Sequence, residues 1–88
     1  MLFRELKANT TYFLPEVSSL SITEVKVTSI DSYGYDYSYE NYEKKIVKAR
    51  AVKYEGRFLA SDNITLFSDR EDAKNYLKEV TERKIKEL

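Results

Sequence analysis

Residues 46–54 read Ile46-Val47-Lys48-Ala49-Arg50-Ala51-Val52-Lys53-Tyr54. Val47, Ala49 and Ala51 fall on one side of this stretch. Lys48 and Arg50 fall on the other, flanked by Ile46, Val52 and Tyr54. Successive strand side chains point to opposite faces, so the alternation predicts a half-buried antiparallel strand with one wet face. Downstream, Glu55-Gly56 reads as a tight turn and Arg57 to Ser61 as the returning strand of a hairpin. Asp62-Asn63 is a second turn signal, and Ile64 to Phe67 a short final strand.

Upstream, Thr10 to Leu14 is β-branched and aromatic, and Pro15 is expected to stop it. Leu2, Phe3 and Leu6 fit one face of a helical turn, but Met1 to Ala8 is too short to decide between helix and strand. From Leu20 to Ile30 the apolar residues change phase: Leu20 and Ile22 share one, Val25 and Val27 the other. A bulge near Thr23-Glu24 would bring both pairs to one core, because a bulge shifts the alternation by one residue.

The C-terminal segment reads as a helix. Ser68 and Glu71 have the spacing of a capping box, and Asp69, Glu71 and Asp72 crowd the first turn, where the helix dipole favours anions. Ala73, Tyr76, Leu77, Val80, Ile85 and Leu88 then line one side at helical spacing. The expected helix runs from about Asp69 to the C-terminus, its apolar stripe laid over an open edge or end of the strands. The expected architecture is α+β: one domain over residues 1–88, with a small curled antiparallel β-sheet or SH3-like barrel of about five strands in 1–67 and one C-terminal helix in 68–88.

The composition removes whole classes of chemistry. There is no Cys, which excludes disulfide scaffolds, thiolate metal sites and cysteine nucleophiles. There is no His, which excludes the usual zinc and haem ligands and the commonest general base near neutral pH. No apolar run approaches the roughly 20 residues that span a bilayer. There is no Gly-rich phosphate loop or dinucleotide fingerprint. The carboxylates at 69, 71 and 72 suit a helix start, and nothing fixes Ser32 or Ser38 beside Lys44 and Lys45 as a catalytic pair. The sequence is therefore read as a non-enzyme with no cofactor, no metal and no membrane partner, in the cytoplasm.

Charge is neutral in total, with 15 basic and 15 acidic residues, but segregated. Residues 31–43 carry Asp31, Asp36, Glu40 and Glu43 and no base. Residues 44–57 carry Lys44, Lys45, Lys48, Arg50, Lys53 and Arg57 against Glu55. The acidic segment is also the most unusual: Tyr33, Tyr35, Tyr37 and Tyr39 recur at period two, with Tyr42 close behind. In a strand the four would share one face; in a loop the mixture of Tyr, Ser, Gly, Asp and Asn resembles that of a binding loop.

One expectation is a recognition surface for a protein with a basic face, made by Tyr33, Tyr35, Tyr37, Tyr39 and Tyr42, with Asp36 and Glu40 supplying charge complementarity. The plain alternative is a hairpin whose tyrosines cover the protein's own core and whose acids pair with the basic strand that follows. A second functional alternative is a nucleic-acid-binding barrel using Lys44, Lys48 and Arg50 on phosphate, with Tyr stacking on bases. A third is self-association, in which an exposed tyrosine strand pairs edge to edge with its own copy as a homo-oligomer.

Three stretches carry a family resemblance: 6–14 (Leu-Lys-Ala-Asn-Thr-Thr-Tyr-Phe-Leu), 22–30 (Ile-Thr-Glu-Val-Lys-Val-Thr-Ser-Ile) and 66–73 (Leu-Phe-Ser-Asp-Arg-Glu-Asp-Ala). Their layout resembles that of small accessory proteins of tailed phages, which open with a strand entering an SH3-like barrel and close with a step into a helix. The tyrosine segment has no counterpart in that pattern. The resemblance implies a phage or mobile-element protein that inhibits or redirects a host protein by stoichiometric binding in the host cytoplasm. It carries over no functional residue.

Overall fold

The computed structural model describes residues 1–86, with side chains through Arg83. Four strands, β1 (Thr10–Glu16), β2 (Ser21–Ile30), β3 (Gly34–Glu40) and β4 (Ile46–Val52), pair in chain order as an antiparallel meander. A single 3-10 turn (Phe3–Glu5) precedes them and helix α1 (Arg70–Lys86) follows. This is the expected α+β class with one C-terminal helix. The sheet, however, has four strands and is open, with β1 and β4 at its two ends.

The segments read as the returning strand of a hairpin and the short final strand, 57–61 and 64–67, do not build a ladder. Their backbone groups go to scattered partners instead. Phe58 N–H donates to Ser32 O (2.9 Å), Ile64 N–H to Met1 O (2.8 Å), and Phe67 exchanges two bonds with Phe13 (2.8 and 3.0 Å). Among the described residues the pairings here are isolated bridges, Leu2 with Asn63 and Phe13 with Phe67. The segment wraps the sheet rather than extending it.

Cross-strand partners share a face, so the pairing assigns two sides. One side, the core face, carries Tyr12, Val25, Val27, Tyr35, Tyr37 and Tyr39. Leu6, Ile64 and Leu66 close over it, and Phe3 and Phe58 stack at its margin with ring centroids 4.7 Å apart. Val25, Val27 and Leu66 are almost wholly enclosed; each such side chain contributes roughly 1.5–3 kcal/mol by leaving water. The buried Tyr12 hydroxyl is satisfied by the Lys7 N–H at 2.8 Å, as burial of a polar tip requires.

Among the described residues, the opposite side is covered over β1 and β2, where α1 packs. Arg70 places its guanidinium over the Phe13 ring at 5.4 Å and reaches Glu24 at 3.3 Å, and Phe67 packs on Tyr76 with centroids 5.6 Å apart. Ala73 and Leu77 are buried beneath the helix. Over β3 and β4 this face meets solvent. The helix thus lies across a sheet face, not over an edge. Of its expected stripe, Ile85 and Leu88 lie outside the described side chains.

Three local expectations shift for stated reasons. Pro15 does not end β1, which continues to Glu16. Phe13 turns its backbone groups outward to Phe67, so Pro15, two residues on, also points its missing N–H away from β2. The phase change in β2 is not a bulge at Thr23-Glu24: Ile22 pairs with Pro15 on the helix face, while Val25 and Val27 serve the core face. The bulge lies instead between Val27 and Ser29, and it returns Ile30 to the core face beside Tyr35. The helix begins at Arg70 because Asp69, not Ser68, caps it: Asp69 Oδ1 accepts the Glu71 N–H at 2.9 Å.

Candidate binding surface

The tyrosine segment is an ordered strand, and its two neighbours fix how its side chains stand. β3 lies between β2 and β4, with Tyr35 opposite Ala51, Tyr37 opposite Ala49 and Tyr39 opposite Val47. The small partners on β4 leave room for a row of rings: Tyr35 and Tyr37 centroids are 5.9 Å apart, Tyr37 and Tyr39 6.2 Å. The row points to the core face. Tyr35, at 7% exposure, is part of the core. Burial, and then the neighbouring Tyr37, push its hydroxyl above the ordinary tyrosine pKa. Tyr37 and Tyr39 are half-buried along the edge of that core.

The expected set of outward tyrosines is therefore divided. Tyr33 is not in the strand. It stands half exposed in the β2–β3 turn with the Arg57 guanidinium 5.9 Å from its ring. Tyr42, in the β3–β4 connection, is 93% exposed. Tyr54, which the sequence reading placed only as the flank of a strand, is 95% exposed beyond β4. Isolated exposure of this kind leaves no periodic signal.

The acidic residues are likewise divided. Asp31 folds the β2–β3 turn, its Oδ1 accepting the N–H groups of Tyr33 (2.8 Å) and Gly34 (2.9 Å) while Oδ2 takes Arg50. Asp36 accepts the other Arg50 nitrogen at 3.0 Å and the Ser29 hydroxyl. Backbone donation from Tyr33 and the Arg50 bond hold the Asp31 carboxyl below its usual range. The Ser29 and Arg50 bonds do the same for Asp36. Asp36 is thus engaged within the protein, on the solvent side of the sheet and away from the tyrosine row. Glu40 stands exposed at the end of β3, followed by exposed Glu43 in the turn.

The basic trio is not brought together as a positive patch. Lys44 sits in the β3–β4 turn with φ of 61°. Lys48 is exposed on the solvent face, and Arg50 is held between two carboxylates. A shallow concavity of about 560 Å³ on this face is lined by Thr28, Asp36, Ser38, Ile46, Lys48 and Arg50, so both signs meet in it. Ser38 pairs with Lys48 across the strands and not with the turn lysines. Asn41 organises that turn, its Oδ1 accepting N–H groups of Glu43 (2.9 Å) and Lys45 (3.0 Å).

Among the described residues no three His, Cys, Asp or Glu side chains stand close enough to hold a metal ion, and no helix is long and apolar enough to cross a membrane. Comparison with protein-family models, curated proteins and solved structures gives no match.

Proposed function

We propose that this chain is a non-enzymatic binding module that engages another protein through the β3–β4 hairpin, using Tyr37, Tyr39 and Tyr42 as anchors and Glu40, at the end of the hairpin, as the acidic rim. The supporting observation is the row of half-buried rings at Tyr37 and Tyr39, which the chain continues to fully exposed Tyr42. Tyr carries a large rigid contact area at low entropic cost, and half-covered rings are already ordered before a partner arrives. Glu40, exposed at the end of β3 with its side chain on the solvent face, favours a partner whose basic groups wrap around the end of the hairpin, while Glu43 is already paired with Lys45 at 3.5 Å. In the phage-type role that the sequence resemblance implies, the partner is a host protein bound stoichiometrically. Tyr35 and Asp36 support this surface from within rather than touching the partner.

The test is capture of the partner from a cell lysate by the parent chain and by the Tyr39→Ala/Tyr42→Ala double variant. Loss of one anchor of this kind costs about 2 kcal/mol, or roughly thirtyfold in affinity. The double variant is expected to lose some of the Tyr39 packing and melt lower, but to stay folded at the temperature of the capture, and to lose the partner. Capture undiminished in the folded double variant would remove the hairpin as the contact surface. Retention of oligonucleotides that falls steeply with salt and is lost in Lys48→Glu would transfer the function to the solvent face.

A further inference from the structure

β1 and β4 end the sheet differently. The outer side of β1 is partly occupied, because Phe67 exchanges two backbone hydrogen bonds with Phe13. Among the described residues no strand lies beyond β4 and no backbone hydrogen bond reaches its outer side. Bonds from Lys53 N–H to Tyr33 O (3.1 Å) and from Asn41 N–H to Lys45 O (2.9 Å) set the phase of the β3–β4 ladder. Val47, Ala49 and Ala51 therefore spend their backbone groups on β3. Ile46, Lys48, Arg50 and Val52 point theirs away from the sheet. The side chains of those same four residues lie on the solvent face, and Ile46 and Val52 are 67% and 57% exposed.

We infer that β4 pairs antiparallel with β4 of a second copy of this chain, in a register centred on Ala49, joining two four-stranded sheets into one. This register places Ile46 opposite Val52 of the other copy, twice, and matches every outward donor with an outward acceptor. It also resolves the charges. A lysine on an edge strand ordinarily blocks such pairing. Here Lys48 falls opposite Arg50 of the other copy, and that Arg50 is bracketed by Asp31 and Asp36. One positive and two negative groups leave that cluster with net charge −1, so each Lys48 meets an acidic site. Centring on Lys48 would instead set two lysines face to face, and centring on Arg50 would oppose two acidic clusters. Of these three registers, the one centred on Ala49 is complementary in both charge and apolar contact. The strand expected from sequence to self-associate, the tyrosine strand, is interior and has no open side.

The chain has no cysteine, so single introduced thiols report the geometry directly. At the centre of the register Ala49 faces its own copy as a non-hydrogen-bonded pair, with Cα atoms about 4.5 Å apart, within disulfide reach. Ala51 and its copy are about 13 Å apart. The expected result is a full-length chain that sediments as a dimer at high concentration and dissociates on dilution. The Ala49→Cys variant cross-links under a mild oxidant much faster than Ala51→Cys. Lys48→Glu, which repels the Asp31–Asp36 cluster twice per dimer, weakens association by at least about tenfold while remaining folded by circular dichroism. A chain monomeric throughout the dilution series overturns the inference, as does a dimer indifferent to Lys48→Glu, or equal cross-linking of the two cysteine variants. The Tyr39→Ala/Tyr42→Ala variant is expected to dimerise normally, which separates this result from the hairpin surface proposed above.

Discussion

Gly34 opens β3 opposite Val52, and a Cβ built on it would lie 2.1 Å from the Ala51 carbonyl oxygen. The obstacle is backbone, which cannot swing aside as a flexible side chain can. Gly34→Ala is expected to cost about 2–3 kcal/mol, measured by urea unfolding, because β3 must move off β4 to admit one methyl group. Tyr35, next along the strand, gives a second test at this scale. Tyr35→Ala empties a core position and is expected to lose roughly 3–5 kcal/mol, enough to unfold much of a domain this small, whereas Tyr42→Ala is expected to leave stability within about 0.5 kcal/mol. The two variants separate scaffold from surface within one tyrosine-rich segment. The period-two spacing of Tyr35, Tyr37 and Tyr39 made the strand and the shared side legible. It left open which side was wet, because an aromatic row suits a core as well as an interface. The answer came from residues far along the chain, Ile64 and Leu66, whose closure over Tyr35 has no local signal.

At the scale of elements, the helix and the alternating strand β4 were legible because each repeats a simple period over many residues. The start of the helix was legible to within one residue. Ser68 and Asp69 are both good caps, and the sequence does not say which adopts the cap geometry. The structure separates them: Asp69→Ala is expected to lower stability by about 1 kcal/mol and Ser68→Ala by much less, read from paired thermal melts. The two-sided burial of β2 was hidden for a different reason. Ile22 serves the helix face and Val25 the core face, so one strand carries two apolar phases, and a single-core reading must explain the change by a bulge. A bulge does exist, but at Val27–Ser29, where Thr28 turns its hydroxyl to the Asp36 carbonyl at 3.3 Å. The missing fifth strand has a similar origin. Residues 57–67 have strand-like composition, but their hydrogen bonds are dispersed over Met1, Ser32 and Phe13, and dispersion of this kind is a property of the assembled fold.

For the whole molecule, the segments that lack regular structure are tied to the sheet by carboxylates. Asp31 and Asp36 fasten the β2–β3 turn and β3 to β4 through Arg50, and Asp62 fastens the 53–62 loop by accepting from Lys53 Nζ at 2.6 Å and the Leu59 N–H at 2.7 Å. All three carboxyls are held below the ordinary value near 3.8: Asp62 chiefly by Lys53, Asp36 chiefly by Ser29 and Asp31 chiefly by the Tyr33 N–H. A carboxyl with a depressed folded pKa binds fewer protons in the native chain than in the unfolded one. Its stabilisation is therefore complete above the unfolded value and lost as pH falls through the folded one. The urea midpoint is expected to stay level from neutrality to about pH 5 and to fall progressively below about pH 4. Asp31 is exposed and Asp36 and Asp62 are only half-buried, so water screens all three and the decline is shallow rather than a collapse. Arg50→Gln is expected to flatten the decline only in part, since the Tyr33 N–H and the Ser29 hydroxyl still favour the ionised carboxylates. Asp62→Asn removes its own contribution outright, and the two effects are expected to add because Arg50 and Asp62 share no hydrogen-bond partner. A midpoint that declines equally steeply in the Arg50→Gln/Asp62→Asn double variant would show that other carboxylates govern the acid response, and that these ties do not hold the loops to the sheet.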